Sequence, residues 1–262
     1  RARRALTIMA KAALITGASS GLGAEFAWQL AAMGANLVLV ARDRDALREL
    51  ARAISARHGV VCEVLVADLL KPRHLARVET RLADPEHPIE VLVNNAGFGL
   101  PLDFDTNAID DEVDHLRLHI EVPMRLTHAA LGGMLGRGSG RILNTASVAG
   151  FIPRSTYGAC KGWLISFSRW ANGHYSARGV TVTAVCPGFV HTDFHERMGL
   201  PRGKEGIPNA LWLEAERTVA EALRDAAHGR PVSVPSLRYK LIVALTRLLP
   251  ASVLAKAGTR GR

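Results

Sequence analysis

Short apolar runs of strand length alternate with longer amphipathic stretches along this chain. The runs cover residues 12–16, 36–40, 61–66, 89–93, 141–144 and 180–185, and most are rich in aliphatic or β-branched residues. Residues 37–40 are apolar throughout, the mark of a strand buried on both faces of its sheet. Helix-length segments such as 23–33 and 45–58 lie between the runs. This βαβαβ order predicts a Rossmann-type α/β fold, a doubly wound parallel sheet of about seven strands with helices on both faces.

A Gly/Pro-rich stretch, 199–208, breaks the alternation after the sixth strand, ahead of a helix expected over 212–228 and closed by Gly229. Ligands of open α/β sheets bind beyond the carboxyl ends of the strands, so an insertion over 194–211 is placed to act as a lid or pocket wall. An ordinary surface loop is the alternative. The chain then divides into a disordered basic extension (1–10), a single domain (11–236) and an amphipathic basic tail (237–262). The tail reads as a segment docked over the substrate mouth or a partner subunit, or as an interfacial helix that attracts anionic lipid.

Length and composition narrow the picture. A chain of 262 residues can bury a full core without staples. Cys62, Cys160 and Cys186 lack the paired spacing of a disulfide framework or a zinc site, which fits a cytoplasmic setting, and packing accounts for Cys160. The net charge of +9 suggests an anionic partner, but the arginines are scattered and aromatics are only 5% of residues. No nucleic-acid partner is expected, and membrane-surface binding is at most an added property. No apolar run approaches the roughly 20 residues that span a bilayer. His191 and His195 have the spacing of two helical ligands, but no third ligand follows clearly, so no metal is expected.

Candidate chemistry begins at the end of the first strand, where Thr16-Gly17-Ala18-Ser19-Ser20-Gly21-Leu22-Gly23 leads into a helix. Glycines let such a backbone turn sharply and approach a pyrophosphate, whose charge meets the helix N-terminus. A glycine-rich loop alone can be a structural turn; the strand-turn-helix context is what gives it weight. Where a carboxylate would close the second strand against the adenosine ribose diol, this chain has Ala41 and Arg42. The missing carboxylate and the added guanidinium favour NADPH over NADH, against the plainer reading of Arg42 as a solvated arginine. Asp68, ending the third strand, is placed to accept from the adenine amine.

Further motifs follow in order: Asn94-Asn95-Ala96-Gly97 after the fourth strand, Ser147 after the fifth, Tyr157-Gly158-Ala159-Cys160-Lys161 opening the next helix, and Pro187-Gly188 with Val190 and Thr192 beyond. With these the chain resembles the short-chain dehydrogenase/reductase superfamily, from Lys11 to about Pro235. The resemblance implies cofactor contacts from Gly17, Ser19, Ser20, Gly21, Leu22 and Gly23 in the loop, and from Arg42 and Asp68 at the adenosine end. It implies further contacts from Asn95, Ala96 and Gly97, from Tyr157 and Lys161, and from Pro187, Gly188, Val190 and Thr192 beside the nicotinamide. Tyr157 is then the general acid in reduction, or the base in oxidation, and Ser147 holds the substrate oxygen. An unperturbed tyrosine has a pKa near 10, so a cation is expected to favour its phenolate, and Lys161 stands at i+4 on the same helix face.

Two departures from the family pattern stand out. His119 occupies the place of an asparagine that in many members fixes a helix kink and a water of the proton relay; it is read either as a catalytic substitute or as a buried helix residue. The crossing from Ser147 to Tyr157 is also shorter than usual, which reshapes one wall of the substrate site. The expected protein is an NADP(H)-dependent oxidoreductase acting on a hydrophobic carbonyl or alcohol substrate, assembled as a homodimer or homotetramer through helices beginning near Asp110 and Tyr157. The alternative is an NADP(H)-sensing binding protein of the same fold whose chemistry is impaired at His119 and the shortened crossing.

Overall fold

In the computed structural model the apolar runs become parallel strands because each is covered on both sides. The structure describes residues 12–101, 104–153, 155–192 and 208–246. The expected basic extension, most of the 194–211 insertion and the tail beyond residue 246 lie outside the described residues.

The first half contains β1 (Ala12–Thr16), α1 (Gly21–Ala32), β2 (Asn36–Ala41), α2 (Arg44–His58), β3 (Cys62–Val66), α3 (Pro72–Ala83) and β4 (Val91–Asn94). There follow α4 (Ile109–Leu116), α5 (Val122–Arg137), β5 (Gly140–Thr145), α6 (Thr156–Tyr175) and β6 (Val180–Val185). The chain continues with β7 (Phe189–Val190), β8 (Trp212–Leu213), α7 (Ala215–Ala227), β9 (Val232–Ser233) and α8 (Leu237–Thr246). Seven strands form one parallel sheet in the order β3-β2-β1-β4-β5-β6-β9. The order reverses between β1 and β4, so the crevice beyond their carboxyl ends is the topological switch point where ligands of this architecture bind.

Alternate residues of one strand feed different cores. Ile15 packs with Phe26, Leu30 and Leu47 from α1 and α2, whereas Leu14 packs with Val78, Leu126 and Met134 from α3 and α5. Both are fully buried, and each such side chain contributes roughly 1.5–3 kcal/mol.

Most element ends shift by one or two residues from the sequence expectation, and one helix start shifts further. The helix expected from residue 212 begins at Ala215, because Trp212 and Leu213 pair in parallel with Phe189 and Val190 as a separate ribbon. Local periodicity cannot see such a distant partner. The α4–α5 helix is interrupted by a π-helical turn, Arg117–Glu121. Pro123 supplies the cause: it has no N–H to give the His119 carbonyl four residues back, and Val122 N–H bonds to the Arg117 carbonyl, five residues back.

Candidate active site

Thr16 ties the switch point together. Its Oγ1 accepts from the backbone N–H groups of Asn95 (2.9 Å) and Ala96 (3.0 Å) and donates to the Val93 carbonyl (3.3 Å). The Asn95 amide donates to the carbonyls of Thr16 (3.1 Å) and Gly17 (3.3 Å), and Thr145 Oγ1 donates to Asn95 Oδ1 at 3.4 Å. Asn95 and Ala96 thus fasten the glycine loop to the fourth and fifth strands.

The loop itself leaves no room for side chains at its glycines. Gly17 and Gly21 have φ of +65° and +54°, and a Cβ on Gly23 would stand 2.1 Å from the Gly17 carbonyl oxygen. Ser19, Ser20 and Leu22 are part-exposed around this cradle, at the positive end of α1. The bare, inturned backbone fits a pyrophosphate. Thr192 reaches the same place, 3.4 Å from where a Cβ of Gly21 would be, so the segment through Pro187, Gly188 and Val190 returns over the cradle. Arg42 is exposed immediately after β2, next to Asp43, whose carboxylate caps α2 by accepting from Asp45 N and Ala46 N. Asp68 turns the chain after β3, its Oδ1 accepting from Leu70 N at 3.1 Å.

Ser147, Tyr157 and Lys161 converge beside this crevice. Ser147 caps the 3-10 turn Val148–Phe151 by accepting from Ala149 N at 3.1 Å, and its side chain is hydrogen-bonded to Tyr157. The N-cap of α6 is Ser155, which accepts from Gly158 N and so sets the helix turn that carries Tyr157. Lys161 is buried, with Nζ donating to the Thr145 carbonyl at 2.6 Å and standing 5.4 Å from the Tyr157 ring centroid.

The electrostatics depart from the expectation of a lysine-stabilised phenolate. Burial pushes the Tyr157 hydroxyl up to about 12, against the pull of the Ser147 hydrogen bond, and burial brings Lys161 down to about 8. Desolvation outweighs the Ser147 hydrogen bond, and the Lys161 ammonium, turned to the Thr145 carbonyl, is itself costly to bury. Tyr157 therefore keeps its proton at neutral pH.

His119 lies behind Tyr157, with ring centroids 5.7 Å apart. Its Nε2 is 2.8 Å from the Phe98 carbonyl oxygen and 3.3 Å from Phe98 N. Gly97 must be glycine here, since its Cβ would fall 2.6 Å from His119 Cε1. Sequence reasoning missed His115, fully buried with its ring centroid 4.3 Å from that of His119 and 5.9 Å from that of Tyr157. Its place one helical turn before His119 was the available signal. Burial and the nearby Lys161 charge hold both imidazoles neutral, His115 at about 4 and His119 well below the ordinary value. His119 Nδ1 and His115 Nε2 are buried with no hydrogen-bond partner among the described residues, and a donor-acceptor imidazole pair of this kind suits an internal water.

The remaining expectations lie around the ribbon. His191 stacks on Trp212 (4.8 Å, 13°), and Phe189 packs against the same indole at 5.8 Å. His195 falls outside the described residues. No described helix is long and apolar enough to cross a membrane.

Comparison with known proteins places this geometry. The profile of the short chain dehydrogenase family matches residues 11–201, and the chain belongs to that family. It is 29% identical to the ketoacyl reductase HetN of Nostoc sp. over 249 residues, 94% of this chain and 85% of that protein. Its fold is similar to that of a short-chain dehydrogenase from Sphingobium yanoikuyae solved in complex with NADPH, with a TM-score of 0.82 and 34% identity, covering 90% of this chain and 93% of the other. A bulky-bulky ketone specific alcohol dehydrogenase from Comamonas testosteroni aligns with a TM-score of 0.78 and 31% identity, over 90% and 92% of the two chains.

Proposed function

We propose that this chain is an NADPH-dependent reductase of a hydrophobic ketone or aldehyde. The observation that carries the reading is Tyr157, held protonated by burial, hydrogen-bonded to Ser147 and backed by Lys161, in a chain whose switch point carries a glycine-lined backbone cradle. Bound in that cradle, NADPH supplies the hydride. Arg42 faces the adenosine 2′-phosphate as a cation with no carboxylate at the end of β2 to oppose it.

Ser147 Oγ and Tyr157 Oη together hold the substrate oxygen, and Tyr157 Oη gives up its proton as negative charge develops there. Lys161 holds the ribose of the cofactor and places a positive charge near the phenolate left behind. His119 orders the inner side of the site. An aromatic wall of Phe189 and Trp212 supports an apolar substrate, in keeping with the ketoacyl and bulky-ketone names of similar proteins. Exposed Ile109, Val113 and Leu116 on α4, with Trp170 on α6, support assembly into a homodimer or homotetramer. The three free cysteines suit the cytoplasm.

The test is titration with NADPH and NADH, then a panel of ketones and aldehydes with the unaltered protein and Tyr157→Phe in parallel. Turnover by the unaltered protein alone supports the reductase. Tight NADPH binding with no turnover by either protein would favour the NADP(H)-sensing alternative, and failure to bind either nucleotide refutes both.

A further inference from the structure

The C-terminal helix α8 reaches into the site through one residue. Tyr239 is 3% exposed, and its ring lies against Gly188 so closely that a Cβ there would stand 1.9 Å from Tyr239 Cζ. Its hydroxyl accepts from Phe189 N at 3.1 Å and donates to the Leu211 carbonyl at 2.7 Å. One side chain thus seats the Pro187-Gly188 turn and joins the two arms of the ribbon, β7 and the approach to β8, that carry Phe189 and Trp212.

The helix is anchored for this task. Ser236, with φ of +78°, turns the chain into α8, and its N–H bonds Glu221 Oε2 at 3.0 Å. Lys240 pairs with Glu221, Arg238 donates to the Ala210 carbonyl, and α8 packs against the Val148–Phe151 turn beside Ser147. Left-handed φ on a residue with a Cβ is costly and persists where the surroundings enforce it.

We propose that Tyr239 is a positioning residue for the nicotinamide end of the site, acting through Gly188 and Phe189. This rests on the cofactor reading above. The cradle at Gly17–Gly23 grips the pyrophosphate from the other end of the switch point, so loss of Tyr239 should loosen the nicotinamide while leaving overall affinity nearly intact. A displacement of about 1 Å at a reacting centre is enough to cost on the order of a hundredfold in rate.

The experiment uses the full chain, NADPH as probe, and the variants Tyr239→Leu, Tyr239→Phe and Gly188→Ala. The dissociation constant comes from tryptophan quenching, the nicotinamide environment from the enhancement of its own emission on binding, and folding from thermal melts. Tyr239→Leu is expected to keep NADPH affinity within about threefold while losing at least about half of the nicotinamide emission enhancement, because only one end of the ligand is freed. Tyr239→Phe, which keeps the ring on Gly188, should lose less. If Tyr239→Leu does not fold, Tyr239→Phe gives the reading, and Gly188→Ala, itself on the cofactor side, serves only to overturn it. Emission enhancement equal to that of the unaltered protein in folded Tyr239→Leu or Gly188→Ala overturns the proposal. Absence of NADPH binding by the unaltered chain overturns the cofactor reading itself, and the inference with it.

Discussion

Replacing Lys161 by methionine should make the protein more stable at neutral pH and abolish its activity. The ammonium is buried, and burial brings its pKa from 10.5 down to about 8. At roughly 1.4 kcal/mol per pH unit, that fall means the folded state spends about 3 kcal/mol to keep the charge. The sign follows from proton binding: below about pH 8 the lysine is charged in both folded and unfolded chains, and the full cost is present. Above 10.5 it is neutral in both, and the cost is gone. Methionine also forfeits the bond to the Thr145 carbonyl, a loss of about 1–2 kcal/mol. The balance at pH 7 is a gain of about 1–2 kcal/mol, a rise of roughly 2–4 °C in Tm for a chain of this size. Between pH 8 and 10.5 the unaltered protein recovers stability that the variant has no means to gain, so the two melting profiles should cross. Thermal melts followed by circular dichroism from pH 6.5 to 10.5 measure this directly. A variant that melts lower at pH 7, or a gap that stays constant across the window, would refute the assignment of a costly buried charge.

Other consequences are testable in the same preparations. Because Tyr157 holds its proton to about 12 and Lys161 to about 8, ketone reduction should be level from pH 6 to 8 and decline above, while alcohol oxidation climbs into the alkaline range; initial rates in both directions decide it, and reduction fastest in alkali would contradict the acid role. Arg42→Ala should weaken NADPH binding by about tenfold or more and leave NADH within about twofold, a charge-assisted contact being worth roughly 1.5–3 kcal/mol; equal loss for both nucleotides would remove the 2′-phosphate role. Gly97→Ala should destabilise by about 1–3 kcal/mol through its clash with His119 Cε1, and His119→Ala in the same chain should recover part of that. Additive losses in the double variant would show that the two do not meet.

The sheet was legible in the sequence because every strand of its centre is buried on both faces, and continuous apolar runs such as 37–40 have few other uses. Ser147, Tyr157 and Lys161 were legible as candidates through the family resemblance, and the structure brings the three side chains together. What escaped depended on contacts remote in sequence. Trp212 and Leu213 became a strand only through Phe189 and Val190, and β9 is two residues long, too short for any periodicity. Tyr239 looked like one more apolar position in a basic tail, since Gly188 and Leu211 lie far off in the chain. The direction of the Tyr157 shift was missed for a related reason: spacing shows that a lysine is near, but burial decides whether proximity prevails over desolvation.

The two departures from the family pattern bear on whether the site works or has decayed, and each is matched by a compensating feature. His119 sits on a π-helical turn that Pro123 forces, its Nε2 meets Phe98, and Gly97 lacks a side chain where the imidazole needs the space. The shortened crossing closes through glycines: a Cβ on Gly150 would stand 2.7 Å from Gly162 N, and one on Gly158 3.0 Å from the Ala149 carbonyl oxygen. That close approach lets the Val148–Phe151 turn lie against α6 and keeps Ser147 bonded to Tyr157. His115 Nε2 and His119 Nδ1 have no hydrogen-bond partner among the described residues, which leaves the imidazole pair placed for the internal water that suits it.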